Sequence, residues 1–410
     1  MRVIRSVSAA VVVGVCLVGV PGAAGAEEGW RNQAPVFTAP ERGFSDVAAV
    51  GAREVWAVGY QGRKTIQIGP WDPPLPPNVL WQREPRPVLQ QWTGRQWKAH
   101  HPEGIPEEGT LDELEVSGGK VWALGTIIYD PGNGAARQRY AYIGTWNGTE
   151  FVQVNGPTNT SAPGYLRHLS ADSGGLWMTE GTQAYRFVDG PGWTGYDLGS
   201  TIKAIESYDS GEAWASGSGA DGSTWVRHWD GSAWTSLALP AGTGKHTFQP
   251  TGPAAGWVAT DAGLALWDGT AWTTVAYPEG YTRSDLWPSF YNAPWATTDV
   301  DGPWLLADGL KTAPKTLLHW TGSAWLTTPG TALPLAKDGQ GRFFAPRTIS
   351  TSTGENALYS FADGVWTPVP AAMDIWGGWN VAALPGTEHV LVTGWSYRGD
   401  LRAYTNAPRD

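Results

Sequence analysis

Apolar and polar positions alternate over short runs, and no stretch keeps a helical apolar period for a useful length. Residues 206–240, ESYDSGEAWASGSGADGSTWVRHWDGSAWTSLALP, show the pattern most clearly. They predict four short strands: one ending near Tyr208, one from Ala213 to Ser216, one from Thr224 to Trp229 and one from Ala233 to Leu239. The turn Trp229-Asp230-Gly231-Ser232 joins the last two, because an Asp-Gly pair allows the positive φ of a tight hairpin.

Two hairpin signatures recur along the chain. The first is an apolar strand, a Gly-containing turn and an aromatic-led strand, as in DVAAVGAREVWAVGY (Asp46 to Tyr60), LEVSGGKVWALG (Leu114 to Gly125), LSADSGGLWMTEG (Leu169 to Gly181) and ESYDSGEAWASG (Glu206 to Gly217). Further copies start at Pro250, Thr297 and Leu335, and a weaker eighth runs from Val381 to Gly394. The second is a strand, a W-x-G-like turn and a Trp-led strand that often stops at proline, as in QWTGRQWKAHHP (Gln91 to Pro102) and LWDGTAWTTVAYP (Leu266 to Pro278). After the eighth copy of the first signature only LRAYTNAP remains, one strand short, whereas Gly29 to Pro35 has the Gly, Trp and Pro of a last strand. Pairing the two ends closes a ring and leaves no open sheet edge. The expected fold is therefore an all-β propeller of four-stranded blades, ~48 residues each. Eight blades fit the copies; seven is the alternative if one weak copy is demoted.

The order strand, Gly turn, aromatic-Gly strand, loop, strand, Asp-Gly turn, Trp strand resembles the Kelch-type β-propellers. Kelch repeats carry a Gly-Gly pair after the second strand, whereas this chain has the single Gly59, Gly125 or Gly217. Ser170 to Trp177 and Ser207 to Trp214 are similar to the Asp-box of sialidase-type propellers, where the box is structural. The resemblance implies a repeat scaffold carrying its function on loops.

Composition agrees with strands and turns: 54 Gly, 31 Pro and 26 Trp leave little room for long helices. Residues 1–26 read as a secretory signal, with Arg2 and Arg5, an apolar run from Ala9 to Val20 and Ala24-Gly25-Ala26 before Glu27-Glu28. That run is too short to span a bilayer. The expected organisation is a signal peptide at 1–26 and one propeller domain at 27–410, secreted and extracellular. Cys16 is the single cysteine and leaves with the signal, which removes disulfides and thiol chemistry. Loss of two arginines takes the formal charge from −10 to about −12, so a nucleic-acid backbone is a poor partner.

In a four-stranded blade the turns joining strands one to two and three to four lie on one face of the ring. The loops between strands two and three, and the links between blades, lie on the other. The extra chain length falls in the second group: 61–87, 130–140, 156–165, 279–294 and 373–380. Trp71, Trp81, Trp287, Trp376 and Trp379 should therefore emerge on one face beside Asp72, Arg283, Asp285, Tyr291, Asn292 and Asp374. Aromatic faces next to such polar groups suit stacking and hydrogen bonding to a sugar; the same residues also suit anchoring of the loops.

No nucleophile elbow, P-loop, dinucleotide fingerprint or metal-spaced histidine pair is present, so no cofactor or metal is expected and catalytic residues are unassigned. Paired carboxylates for glycoside hydrolysis are possible on the loops. The expected function is a monomeric binding protein for an extracellular carbohydrate or protein. A polysaccharide-directed hydrolase or lyase, or a structural interaction scaffold, are the alternatives.

Overall fold

The computed structural model describes residues 30–37, 42–62, 64–68, 78–103, 108–129, 137–157, 166–243, 248–283, 303–307, 316–329, 336–348, 356–369, 375, 377–396 and 401–407. Every regular element among them is a β-strand. They build eight antiparallel blades arranged as a β-propeller. Blade 1 holds Gly43–Gly51, Glu54–Gln61, Arg86–Trp92 and Trp97–His100. Blade 2 holds Gly109–Ser117, Lys120–Tyr129, Gln138–Trp146 and Phe151–Gln153. Blade 3 runs from Arg167 to Asp197, blade 4 from Thr201 to Leu237 and blade 5 from Gln249 to Val275. Blade 6 shows three strands among the described residues, Trp304–Ala307, Thr316–Trp320 and Trp325–Pro329. Blade 7 runs from Ala336 to Pro368, and blade 8 from Gly377 to Thr405.

The ring closes as the repeat count requires. Arg31–Asn32 supplies the outer strand of blade 8, pairing Arg31 with Thr405 and Asn32 with Tyr404. The Gln33 amide adds a hydrogen bond to the Ala403 carbonyl at 2.7 Å.

Eight hydrophobic clusters mark the eight blade interfaces. Trp56 and Val58 reach from blade 1 to Leu111, Tyr142 and Phe151 of blade 2. Trp122 and Leu124 reach into blade 3, Trp177 into blade 4, Trp214 into blade 5, Trp257 into blade 6 and Trp304 into blade 7. Phe344 makes the contact from blade 7 to Val390 and Val392, and Leu391 and Ala403 of blade 8 pack on Phe44 and Val55 of blade 1. Strand alternation explains the division of labour: Trp56 faces forward, and its neighbours Val55 and Ala57 face back.

The fourth-strand tryptophans do a different job. Trp97 Nε1 donates to the Gln33 carbonyl, Trp193 to Asn155, Trp272 to Ala238, Trp325 to Ala276 and Trp366 to the Thr328 hydroxyl. Each acceptor lies on or just after the outermost strand of the preceding blade. Trp193, Trp272, Trp325 and Trp366 are half-buried, as is Trp234, whereas Trp97 is buried; the second-strand rings are the more consistently buried of the two classes.

The single glycine after the second strand also has a cause. A β-bulge in the first strand presses a carbonyl onto it, so a Cβ on Gly59, Gly125 or Gly217 would meet the oxygen of Gly43, Thr110 or Thr201 at 1.9, 2.1 and 2.0 Å. Blade 3 moves its bulge one pair toward the turn, to His168 at φ 55°, and there the Thr179 hydroxyl donates to the Arg167 carbonyl.

The Asp-Gly turns are capped by their own side chains. Asp230 Oδ1 accepts the Ser232 and Ala233 amides, Asp268 the Thr270 and Ala271 amides, and Asn147 the Thr149 and Glu150 amides. Asn147, a match to a glycosylation pattern, is thereby a turn residue.

The two tryptophan classes should separate in unfolding experiments. Trp177→Ala is expected to lose roughly 3–5 kcal/mol of stability. Trp272→Phe, which keeps a ring and deletes the hydrogen bond, should lose about 0.5–1.5 kcal/mol. Urea unfolding of both variants checks the order.

Candidate functional site

The face opposite the capped turns carries the additional chain. Blade 1 inserts a separate hairpin between its second and third strands, Lys64–Ile68 paired with Asn78–Arg83. Blade 2 instead lengthens its own second and third strands, so that Tyr129 pairs with Gln138 and Ile127 with Tyr140 beyond the core. Tyr129 and Tyr140 share one side of that hairpin and are 52% and 36% exposed. Arg139 pairs with Glu84 at 3.4 Å, where the inserted hairpin returns to the third strand of blade 1, and Arg137 with Glu108 at 3.1 Å, at the entry to blade 2. The arginines are the solvated partners, and the pairs serve orientation more than stability.

Of the residues the sequence singles out, Trp71, Asp72, Asp285, Trp287, Tyr291, Asn292, Asp374 and Trp376 lie outside the described residues. Trp81 lies on the inserted hairpin, paired with Ile66. Arg283 Nη1 donates to Asp261 Oδ1 at 2.6 Å and to the Gly242 carbonyl, holding the turn of blade 5 against the link from blade 4. Trp379 is half-buried against the cluster between blades 7 and 8. Tyr129 and Tyr140 were not singled out because 130–140 reads as a loop; the alternation Tyr140-Ala-Tyr142 is the signal that strand structure begins earlier.

The first strands line the centre of the ring and bring a second group together. Asp46 Oδ2 accepts the Leu114 amide of blade 2 at 2.8 Å, Glu113 Oε2 accepts the Leu169 amide of blade 3 at 2.8 Å, and Ser170 Oγ accepts the Ser207 amide of blade 4 at 2.8 Å. Side chains of one blade thus hold the backbone of the next. Glu115 and Glu206 point into the same region without such a bond. Burial raises the Glu206 carboxyl to about 7. Glu115 is raised well above the ordinary range by burial and then by the charges of Glu206, Asp46 and Glu113. Burial raises Asp46 to about 6 against the opposing pull of the Leu114 and Val47 amides. On the capped-turn face, Ser117 of blade 2 donates to Asp209 of blade 4, and Ser173 of blade 3 donates to the Asp209 carbonyl, so the turns of three blades converge there.

Among the described residues no cluster of His, Cys, Asp and Glu is arranged to hold a metal ion. Nor is any helix among them long and apolar enough to cross a membrane.

No family model and no curated protein matches the chain. Similar solved structures include YCF48 bound to a D1 peptide, at 16% identity, covering 77% of this chain and 91% of that one with a TM-score of 0.42. The β-propeller domain of Cps50 (Swd1) from Myceliophteria thermophila matches at 10% identity, 75% and 99% coverage and a TM-score of 0.43. The SapL1 lectin in complex with alpha methyl fucoside matches at 14% identity, 73% and 98% coverage and a TM-score of 0.36.

The raised central carboxyls set a pH dependence. Their folded-state affinity for protons exceeds that of the unfolded chain, so between about pH 4 and 7 the folded state binds more protons and stability falls as pH rises. These carboxyls therefore favour a higher melting temperature near pH 5.5 than near pH 8, opposed by His100 and His168, whose proton affinity burial lowers. Glu206→Gln should flatten that slope by removing one contributor, as read by thermal denaturation across the range.

Proposed function

We propose that the chain is a secreted propeller that binds an extracellular carbohydrate or protein through its long-loop face. One observation carries this reading: additional chain is concentrated on one face, including an inserted hairpin and an extended one with Tyr129 and Tyr140 exposed, while the opposite face is built of short, self-capped turns. Rigid scaffolds that place long connections and exposed aromatic rings together favour recognition over packing. Arg2, Arg5 and the apolar run Ala9 to Val20 support export, and the repeat order supports kinship with the Kelch-type propellers. Trp71, Trp287 and Trp376, with their polar neighbours, are assigned to this face by repeat spacing alone and lie outside the described residues.

A second reading, a hydrolase or lyase acting on polysaccharide, draws on the central carboxyls. Glu206 at about 7 is half protonated near neutrality, the condition that suits a general acid.

Binding of the mature protein to glycan and peptide arrays tests the first reading. Tyr129→Ala with Tyr140→Ala should reduce binding at least ~10-fold, the scale of about 1.4 kcal/mol, while Ser232→Ala on the opposite face leaves it unchanged. Loss of array binding in neither variant overturns the face assignment. Polysaccharide turnover abolished by Glu206→Gln would establish the second reading instead.

A further inference from the structure

On the long-loop face, the groove between blades 3 and 4 opens into a cavity of about 330 Å³. Its wall includes Leu198 and Ser200 from the link between the blades, Trp225 and Arg227 from the third strand of blade 4, and Ser236 and Leu239 from its outer edge. Trp225 belongs to neither repeated tryptophan class. Its ring lies over Gly217, where a Cβ would come within 2.7 Å of Cζ2, so one side of the indole is held against the backbone.

Arg227 lies two residues on and projects from the same side of the strand. It is half-buried, and among the described residues its guanidinium makes no hydrogen bond or ion pair. Arg186, Arg283 and Arg342, by contrast, pair with Asp172, Asp261 and Asp338. The carboxylate that feels Arg227 is Asp197, which accepts the Gly199 amide at 2.8 Å and lies below its ordinary pKa first through that bond and then through Thr182, with Arg227 contributing least. The Arg227 donors therefore remain available.

We infer that this groove is a subsite for one pyranose residue carrying a carboxylate, a uronic acid. The inference rests on the reading of the long-loop face as a ligand-binding face, and it names a ligand class and a place. Trp225 and Leu239, both half-buried, offer apolar surface to the C–H face of a sugar ring, and the buried Leu198 completes the lining. The Ser200 and Ser236 hydroxyls offer donors and acceptors at its edge, and a guanidinium matches a carboxylate in a bidentate fork. The cavity volume lies at the lower end of the range of about 300–1,000 Å³ that holds small ligands. In a chain of net charge −10, a guanidinium whose one neighbouring carboxylate among the described residues, Asp197, is already engaged by the Gly199 amide is a favourable place for an anion.

The test is calorimetric titration of the mature protein with methyl β-glucuronide and with methyl β-glucoside at low salt. The glucuronide should bind at least ~10-fold more tightly, equivalent to about 1.4 kcal/mol, and added salt should narrow the gap. Arg227→Gln should bring the glucuronide to the glucoside level, whereas Arg227→Lys should retain part of the preference. Trp225→Ala should abolish binding of both; because its ring packs on Gly217, the half-buried Arg227 decides the matter should that variant fail to fold. Equal affinity for the two glycosides, no saturable binding of either, or an unchanged preference in Arg227→Gln would overturn the inference. If neither glycoside binds while the arrays still report binding that depends on Tyr129 and Tyr140, the subsite fails and the face assignment stands. A blank array removes both.

Discussion

The structure depends on one packing constraint: a twisted four-stranded sheet has two apolar faces, and each must be covered by a neighbouring sheet. The eight interface clusters meet that constraint around the ring, with Trp56, Trp122, Trp177, Trp214, Trp257 and Trp304 each directed into the next blade. A large planar ring is well suited to the wedge-shaped space between sheets that diverge from an axis, and burying one removes about 150–250 Å² from water. Every other feature of the fold follows from keeping those wedges in register. The indoles of the outer strands lock adjacent blades by hydrogen bonds to the preceding edge, and Asp46, Glu113 and Ser170 do the same near the axis. Inner and outer bonds flank an apolar middle, so a blade cannot slide along its neighbour without breaking one set.

Blade number and closure were legible in the sequence because they are carried by the repeat itself. Aromatic-led second and fourth strands recur at fixed places in most blades, and Trp30 announces the strand that completes blade 8. The conformational meaning of the repeated residues was only partly legible. Gly217 recurs after the second strand, but its reason is a bulge in a different strand that presses the Thr201 carbonyl against it. A contact between strands cannot be read from either strand alone. Trp177 and Trp234 likewise look interchangeable as letters, whereas position in the blade makes one fully buried and the other half-exposed.

The candidate site was legible only as a face. Loop length assigns extra chain to one side of the ring, but it does not reveal that residues 120–129 and 138–146 continue as paired strands past the core and carry Tyr129 and Tyr140 outward. The central acids are harder still. Glu113 and Glu115 stand two apart on one strand and look alike in sequence, yet Glu113 holds the Leu169 amide and Glu115 holds no backbone group. The distinction depends on where the next blade sits.

That distinction bears on how packing and function divide the molecule. A carboxylate removed from bulk water is costly unless it is hydrogen-bonded, and Asp46 and Glu113 offset part of that cost by accepting amides that would otherwise lack a partner. Glu115 and Glu206 have no such compensation, and their raised proton affinity is the response to that environment. A purely structural centre would place apolar or hydroxyl side chains there, as blades 3 and 4 do with the paired Ser170 and Ser207 hydroxyls. Local cost without structural return is the mark that functional positions leave on an otherwise consistent fold. By that criterion the repeated Trp, Asp and Gly residues are excluded, since each has a packing or turn role. The positions on which the proposed readings draw are the ones outside that repeat: Glu206 near the axis, Tyr129 and Tyr140 at the extended hairpin, and Arg227 beside the link from blade 3 to blade 4.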